Sequence, residues 1–285
     1  MAVLHSREAR AQQAPACLPD LRIEPARLDH TIDAARTWLF DRQQSAGFWC
    51  ADFEGDTTLE AYLILLESFL GRRQSDKNLA MARVIRADML PNGGWSQYVG
   101  GPAEISVSCL SYLALKLVGD SADAAHIQLA RAAILQLGGV HRANTYTKYH
   151  FAFFGQYSWR DVPAIPPELM LLPRGGPFTI YDMSSWSRTI FLPLSILYAK
   201  KPVCAVPPEC GARELMIGEP GFERPTDADP NSPPNASALR WRKFFLLVDR
   251  ALKLYERVPG AELLRRISVA RAGAWMIQRF EDSDG

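Results

Sequence analysis

A repeated pattern of large and small side chains is the sequence feature that most constrains the fold. Its clearest copy reads Ala35-x-x-Trp38-Leu39-x-x-x-Gln43-x-x-x-Gly47-x-Trp49. A second copy follows 46 residues later as Val84-Ile85-x-x-x-Met89-x-x-x-Gly93-Gly94-Trp95, in the same register but without the glutamine. A third begins as Ala272-x-x-Trp275-Met276-x-x-x-Phe280 and is cut short at Gly285.

The spacing of this pattern has a physical meaning. An aromatic and aliphatic helix end packs inward, and a glycine lets the backbone turn sharply. The following Trp then lies over the next helix, while a Gln side chain can bond exposed backbone groups at the turn. A chance turn beside a core Trp could explain one copy, but two copies and a cut third favour stacked helical hairpins. We therefore predict that Trp49 and Trp95 contact neighbouring helices.

Helical periodicity runs through most of the chain from Leu28 onward, and strand-like alternation is scarce. Helices are predicted at 56–70, 105–118, from 121 to Gly138, at 239–258 and at 262–280. Thr57 and Glu60 have the spacing of a capping box, and Gly119 ends the second of these helices. The fold class predicted is all-α.

Three segments interrupt the helices. Residues 1–27 are expected to form an N-terminal arm. Residues 157–181 contain five prolines among large apolar side chains, so we expect them to be packed but not helical throughout. Residues 202–234 contain eight prolines and are expected to be a surface loop, the least ordered internal segment.

Charge and cysteine usage exclude several functions. Lys plus Arg number 32 and Asp plus Glu 31, which gives no reason to expect a nucleic-acid partner. Five scattered cysteines without a CxxC indicate reduced thiols in a cytosolic protein, and the dispersed histidines predict no metal site. No signal peptide or membrane span is expected, although attachment to one leaflet remains open. No cofactor is predicted.

The repeat resembles the QW motif of triterpene cyclases, and four further stretches resemble bacterial squalene–hopene cyclases. These stretches are Asn144-Thr-Tyr-Thr-Lys148, Phe154-Gly-Gln-Tyr-Ser-Trp159, Val162-Pro-Ala-Ile-Pro-Pro-Glu-Leu-Met-Leu-Leu-Pro173 and Ile180-Tyr-Asp-Met-Ser-Ser-Trp-Ser-Arg188. The similarity runs from about residue 28 to 202 and resumes at about 239. It therefore covers most of the chain.

The resemblance implies a two-barrel isomerase that lies monotopically on the inner face of the cell membrane. Residues 28–280 would form the smaller, N-terminal α/α barrel, a toroid of helical hairpins, and residues 281–285 the truncated start of the catalytic domain. In this family the larger barrel carries an Asp-x-Asp-Asp acid that protonates squalene in hopanoid and triterpenoid biosynthesis. The implied partners are squalene or a related polyprenoid, the membrane surface, and a missing C-terminal half or a second copy.

The resemblance also suggests substrate-binding residues. Trp186 matches a family tryptophan that lines the cavity between the barrels, while Met183 and Phe191 match positions near the substrate-entry constriction. On a helix predicted over 184–198, the offsets of three and eight residues from Met183 would place all three on one face. Core packing remains the alternative for each of them, and Arg188 is assigned to structure.

No catalytic acid is predicted in this chain. Asp227-Ala-Asp229 and Asp282-Ser-Asp284 lack the following Asp and are interpreted as solvated turn residues. Three hypotheses follow: an N-terminal cyclase fragment inactive alone, one subunit of a split cyclase, or a non-catalytic α/α barrel that binds an isoprenoid or a protein.

Gly175-Gly176, where relatives usually carry bulky aromatics, suggests relaxed constraint.

Overall fold

The computed structural model describes residues 24–50, 55–173, 175, 179–217 and 236–280, with side chains of the last segment from Lys243. Within these ranges the fold is all-α, as the sequence predicts, and contains no strand. The α-helices are α1 (Pro25–Phe40), α2 (Thr58–Phe69), α3 (Asp76–Ala87), α4 (Ile105–Val118), α5 (Ala125–Gln136), α6 (Thr145–Phe153), α7 (Ser185–Lys200), α8 (Ala236–Tyr255) and α9 (Ala261–Phe280). Short 3₁₀ turns lie at Val140–Arg142, Pro167–Leu171, Ile180–Asp182, Pro208–Cys210 and Arg213–Leu215.

Helix α4 is the centre of the main core. All of its residues from Ile105 to Val118 are buried, and it packs against α2, α3, α5 and α6. Its bounds are those predicted from the sequence. The Glu104 side chain accepts a hydrogen bond from the Val107 amide at 2.8 Å, and Gly119 ends the helix in the left-handed conformation, with φ 107°.

The start of α2 differs from the prediction. Thr57 makes no capping hydrogen bond with its side chain. Its hydroxyl lies 2.8 Å from the Ser111 hydroxyl on buried helix α4 instead. The capping-box prediction was therefore wrong, because a tertiary partner takes the hydroxyl that the local motif needs. Helix α5 likewise begins at Ala125 and not at Ser121, whose hydroxyl accepts from the Asp123 amide in a preceding turn.

The first proline-rich segment is packed, as expected. Val162 and Ile180 are buried, and the 3₁₀ turn Pro167–Leu171 lies between them. The Trp159 and Tyr149 rings meet edge to face with centroids 5.5 Å apart. The described residues of this segment therefore pack against the core between α6 and α7.

The second proline-rich segment departs from the expectation of a surface loop over its described part, 202–217. Three of its residues are buried: Cys210, Ala212 and Leu215. The Tyr112 hydroxyl on α4 donates to Glu214 Oε1 at 2.6 Å, which ties this segment to the core helix. The remaining residues of the predicted loop, 218–234, lie outside the described part, as do 1–23 of the predicted arm.

Internal contacts divide the chain into two compact units. The first holds residues 1–56 and 96–102, and therefore helix α1; the second holds residues 57–95 and 103–285. No side chain of α1 is buried. In the second unit, Ile180, Leu192 and Ala272 form a smaller core against which Trp275 packs.

An ionic cluster lies beside this smaller core. Arg265 of α9 bonds Glu168 at 3.0 Å and Glu256 at 3.3 Å, and Lys201 bonds Glu256 at 3.0 Å. Burial opposes ionisation of Glu256, but hydrogen bonds from Lys201 and Tyr198 hold its pKa below the ordinary value. The cluster joins the ends of α7, α8 and α9.

Candidate functional site: repeat turns and the exposed tryptophan of helix α7

The first repeat forms a closed turn after α1. Gly47 adopts φ 86°, and its amide donates to the Gln44 carbonyl at 2.8 Å. The Gln43 side-chain amide donates to the Gly47 carbonyl at 2.7 Å. The Trp49 indole N–H donates to the Leu39 carbonyl near the end of α1, also at 2.7 Å. The Leu39 carbonyl also accepts from the Arg42 amide at 3.0 Å, so the indole and the backbone share one acceptor at the helix end.

The second repeat has the same glycine-amide and indole hydrogen bonds, each displaced by 46 residues. Gly93 has φ 89°, its amide donates to the Leu90 carbonyl at 2.8 Å, and the Trp95 indole donates to the Ile85 carbonyl at 2.7 Å. A Cβ on Gly93 would lie 2.5 Å from the Leu129 carbonyl oxygen, so packing also requires glycine here. Trp95 is fully buried, whereas Trp49 is 49% exposed.

The second repeat lacks the glutamine, and its turn makes different contacts with residues distant in sequence. The Trp95 amide donates to the Ser108 hydroxyl at 3.0 Å, and the Glu104 amide donates to the Trp95 carbonyl at 2.8 Å. The turn is therefore held by the start of α4. Nothing in the repeat pattern itself identifies Ser108.

The third repeat reveals a pairing that the sequence reading missed. The Arg279 guanidinium lies 3.4 Å from the centre of the Trp275 ring and donates to the Trp275 carbonyl at 2.9 Å. In the first repeat Arg42 makes the same two contacts with Trp38, at 3.9 and 3.3 Å. Trp-x-x-x-Arg in both copies was the available signal. Residues 281–285, the predicted start of the next domain, lie outside the described part.

Trp186 lies at the start of α7 on a turn fixed by short polar side chains. Asp182 accepts from the Thr179 amide at 2.8 Å, and the Ser184 hydroxyl accepts from the Ser187 amide at 3.1 Å, which begins the helix. The Trp186 side chain is 77% exposed. A rigid helix start thus presents a broad aromatic surface away from the core.

The three predicted substrate-binding residues do not share one helical face. Met183 precedes the helix and has an extended backbone, with φ −77° and ψ 151°, so the helical offset does not apply to it. Trp186 and Phe191 are five residues apart, about 140° around the axis. Phe191 lies toward the side that buries Leu192, Ser195 and Tyr198. The shared-face argument was therefore wrong; the roles of the three residues remain predictions.

Arg188 is the charged residue nearest to Trp186 in the sequence. The Arg188 guanidinium donates to the Tyr181 carbonyl at 3.4 Å, a backbone contact that agrees with a structural role. Both Asp-x-Asp pairs of the sequence lie outside the described residues. Within the described ranges, no group of His, Cys, Asp and Glu side chains could hold a metal ion. None of the described helices is both long and apolar enough to cross a membrane.

All-helical packing with QW-type turns in register is consistent with the α/α-barrel class of terpene cyclases. Residues 32–285 match the family model described as the squalene-hopene cyclase N-terminal domain, and the chain belongs to that family. The recognition made from the motifs is thereby confirmed.

Comparison with individual relatives supports the same family. The chain is 37% identical to the squalene–hopene cyclase of Zymomonas mobilis subsp. mobilis, an alignment covering 79% of this chain and 33% of the relative. It is 33% identical to a probable squalene–hopene cyclase of Sinorhizobium fredii over 92% of this chain and 40% of the relative. It is 30% identical to the dammaradiene synthase of Dryopteris crassirhizoma, over 91% and 37% respectively. The chain thus spans about a third to two fifths of the length of these relatives.

Proposed function

We propose that this chain serves as the N-terminal domain of a squalene–hopene-type cyclase, acting on squalene or a related polyprenoid. Its membership of the family, with two repeat turns in register, carries the proposal. The relatives named squalene–hopene cyclase are longer, so the remaining part of such an enzyme would complete the site.

Trp186 is the residue of this chain that we propose to face the substrate. An indole face attracts a cation through its quadrupole, by about 2 kcal/mol or more when water is excluded. The 77% exposure of Trp186 shows that the described residues do not cover it. A second domain seated over the start of α7 would convert this exposed ring into a cavity wall.

The protonating acid is proposed to come from the other domain. Protonation of an alkene requires a strong acid held beside the double bond in a site that excludes water. Neither Asp-x-Asp pair of this chain is followed by the further Asp of the family motif. We therefore expect no conversion of squalene to hopene by this chain alone.

Helix α8 is the proposed membrane contact. One of its faces carries the apolar stripe, defined as Phe244, Leu247, Ala251, Leu254 and Val258, and every member is exposed. The first four members recur at intervals of three and four residues, so they lie along one side of the helix, and Val258 follows in the turn after Tyr255. An exposed stripe on an amphipathic helix fits insertion into the headgroup region of one leaflet.

The test is gas chromatography of products after squalene is incubated in detergent with the purified chain, alone and with a complementary C-terminal half. We expect hopene only from the mixture. In the mixture Trp186→Ala should lower turnover about 10- to 100-fold and Trp186→Phe less, because phenylalanine retains an aromatic face. Trp49→Phe is the matched control.

Two results would reject the proposal. Hopene formed by the chain alone would show that it contains its own acid. Binding of squalene with no turnover under any pairing, and with no effect of Trp186→Ala, would favour the non-catalytic isoprenoid-binding module.

A further inference from the structure

We infer that helix α8 selects bilayers with anionic phosphate headgroups, through a row of three basic side chains beside its apolar stripe. The basic row is defined as Lys243, Arg250 and Arg257. The inference rests on the proposed membrane contact of α8 and adds the chemistry of the lipid surface that this contact recognises.

The basic row is aligned along the helix. Lys243 and Arg250 are seven residues apart on α8, nearly two complete helical turns, so one stands above the other. Arg257 follows seven residues later, in the turn after the helix ends at Tyr255. All three side chains are exposed. On a helix of 3.6 residues per turn, Lys243 and Arg250 lie about 60–80° from the centre of the apolar stripe, along one of its edges.

The acidic residues of this segment lie on the side opposite the apolar stripe, about 100° from the basic row, and bind the protein. Asp249 accepts a hydrogen bond from the Ala164 amide at 2.7 Å, and its other oxygen pairs with Lys253 at 2.8 Å. Glu256 pairs with Lys201 and Arg265. These two acids are also seven residues apart. Negative charges are thus neutralised against the protein, while the positive row is left facing solvent.

The wider sequence shows the same charge separation. Residues 236–280 contain ten Lys and Arg but three Asp and Glu, whereas the whole chain is almost balanced, with 32 against 31. Among the described residues, no ion pair engages the basic row. The α8–α9 region is therefore a local site of positive charge.

The basic row and the apolar stripe together favour binding to a bilayer over binding to an acidic protein surface. When the stripe enters the acyl boundary, the long Lys and Arg stems at its edge can extend to the phosphate plane while their alkyl parts stay in apolar surroundings. Anionic lipids attract such positions strongly, and removing three charges should weaken partitioning by roughly 100-fold at ordinary ionic strength.

The experiment is vesicle sedimentation with the full 285-residue chain. One vesicle population is phosphatidylcholine alone, and the other contains about a third phosphatidylglycerol as the anionic lipid. We expect much stronger binding to the anionic vesicles, weakened by salt because the Debye length shortens. The variant Lys243→Gln/Arg250→Gln/Arg257→Gln should bind the anionic vesicles roughly 100-fold less and the neutral ones as before.

Two further variants make the test specific. Lys77→Gln/Arg83→Gln/Arg131→Gln removes the same number of exposed charges elsewhere and should retain binding. Arg250→Lys/Arg257→Lys keeps the charge and should also retain it. Equal binding to both vesicle types, or an equal loss in the Lys77 set, would overturn the inference while leaving the membrane contact standing. Absence of binding to either vesicle would instead reject the membrane contact itself.

Discussion

At the scale of single residues, two tryptophans in the same motif position have different energetic roles. Trp95 and Trp49 make equivalent indole hydrogen bonds at 2.7 Å, but only Trp95 is fully buried. Replacing Trp95 by Phe should lower the free energy of unfolding by about 3 kcal/mol, because a buried hydrogen bond and packing volume are both lost. Trp49→Phe should cost about 1 kcal/mol or less. Urea unfolding measures both, and equal losses would contradict this account.

A partly buried histidine makes stability depend on pH. His150 donates from Nδ1 to the Tyr146 carbonyl at 2.8 Å, and its ring packs against Tyr62 with centroids 4.7 Å apart. Burial lowers the pKa of His150 below its ordinary value of 6.5, and burial together with nearby Lys148 also lowers that of His141.

The sign of the pH effect follows from proton uptake. Below about pH 6.5 the unfolded chain binds protons that the folded chain does not, so the free energy of unfolding falls as the pH is lowered from 7 toward 5. Each histidine contributes at most about 1.4 kcal/mol per pH unit. His150→Gln should reduce this slope in urea titrations between pH 5 and 8. An unchanged slope would show that His150 titrates normally in the fold.

Patterns within a few residues predicted the shape of the repeat turns but not every residue that holds them. The turn geometry around Gly47 and Gly93 follows from glycine and spacing alone, and the structure shows both turns. The contact of Ser108 with the Trp95 amide could not be predicted, because Ser108 belongs to a different helix. Local rules cannot identify a partner that only tertiary packing supplies.

At the scale of elements, two opposing effects act at the end of α7. Lys201 has an unfavourable backbone conformation and forms a favourable ion pair. Lys201 has a left-handed conformation, with φ 47°, which costs roughly 1 kcal/mol or more for a residue with a Cβ. Its ammonium pairs with Glu256 at 3.0 Å. The two effects can be separated by substitution.

We predict that Lys201→Ala lowers the free energy of unfolding by about 1 kcal/mol, because the pair is lost and the left-handed strain remains. Lys201→Gly should be nearly neutral, since relief of strain offsets loss of the pair. The measurement is urea unfolding of both variants at low salt. If Lys201→Gly were as destabilising as Lys201→Ala, the left-handed backbone of Lys201 would not lower the stability of the fold.

Helix bounds were predicted best where the stop signal is local. Helix α4 has its predicted limits because Gly119 supplies the left-handed residue that ends it. The sequence predicted α7 from residue 184, and Ser184 caps a helix that begins at Ser185. Met183 therefore lies before both the predicted and the observed helix, and its extended backbone separates it from the face on which Trp186 stands.

At the scale of the whole molecule, the class of fold and the family were predictable from the sequence. Which loop residues are buried and which are exposed was not. The motif spacing predicts an all-α cyclase-family domain, which the structure and the family match confirm. Buried Cys210, Ala212 and Leu215 in a proline-rich segment could not be foreseen, because composition describes a segment and not the helices it meets.

The exposed apolar surface predicts how the isolated chain behaves in solution. Leu247 and Leu254 on the apolar stripe are 66% and 64% exposed, and Ile267 and Ile277 of α9 are exposed as well. Large apolar patches of this kind drive association when no membrane or partner covers them. We expect the purified chain to self-associate without detergent and to become monomeric when detergent or lipid covers the stripe.

Charge placed on the stripe should relieve this association. Leu247→Glu/Leu254→Glu should give a detergent-free monomer in sedimentation velocity with nearly unchanged urea unfolding, because both side chains already face solvent. The matched control is Leu59→Glu/Leu66→Glu, two leucines of α2 that are 54% and 55% exposed. A wild-type chain that sediments as a clean monomer without detergent would favour a self-contained binding module. If only the α2 substitutions gave a monomer, the surface that drives self-association would lie on α2. Helix α8 would then have no specific role in self-association or in contact with a partner.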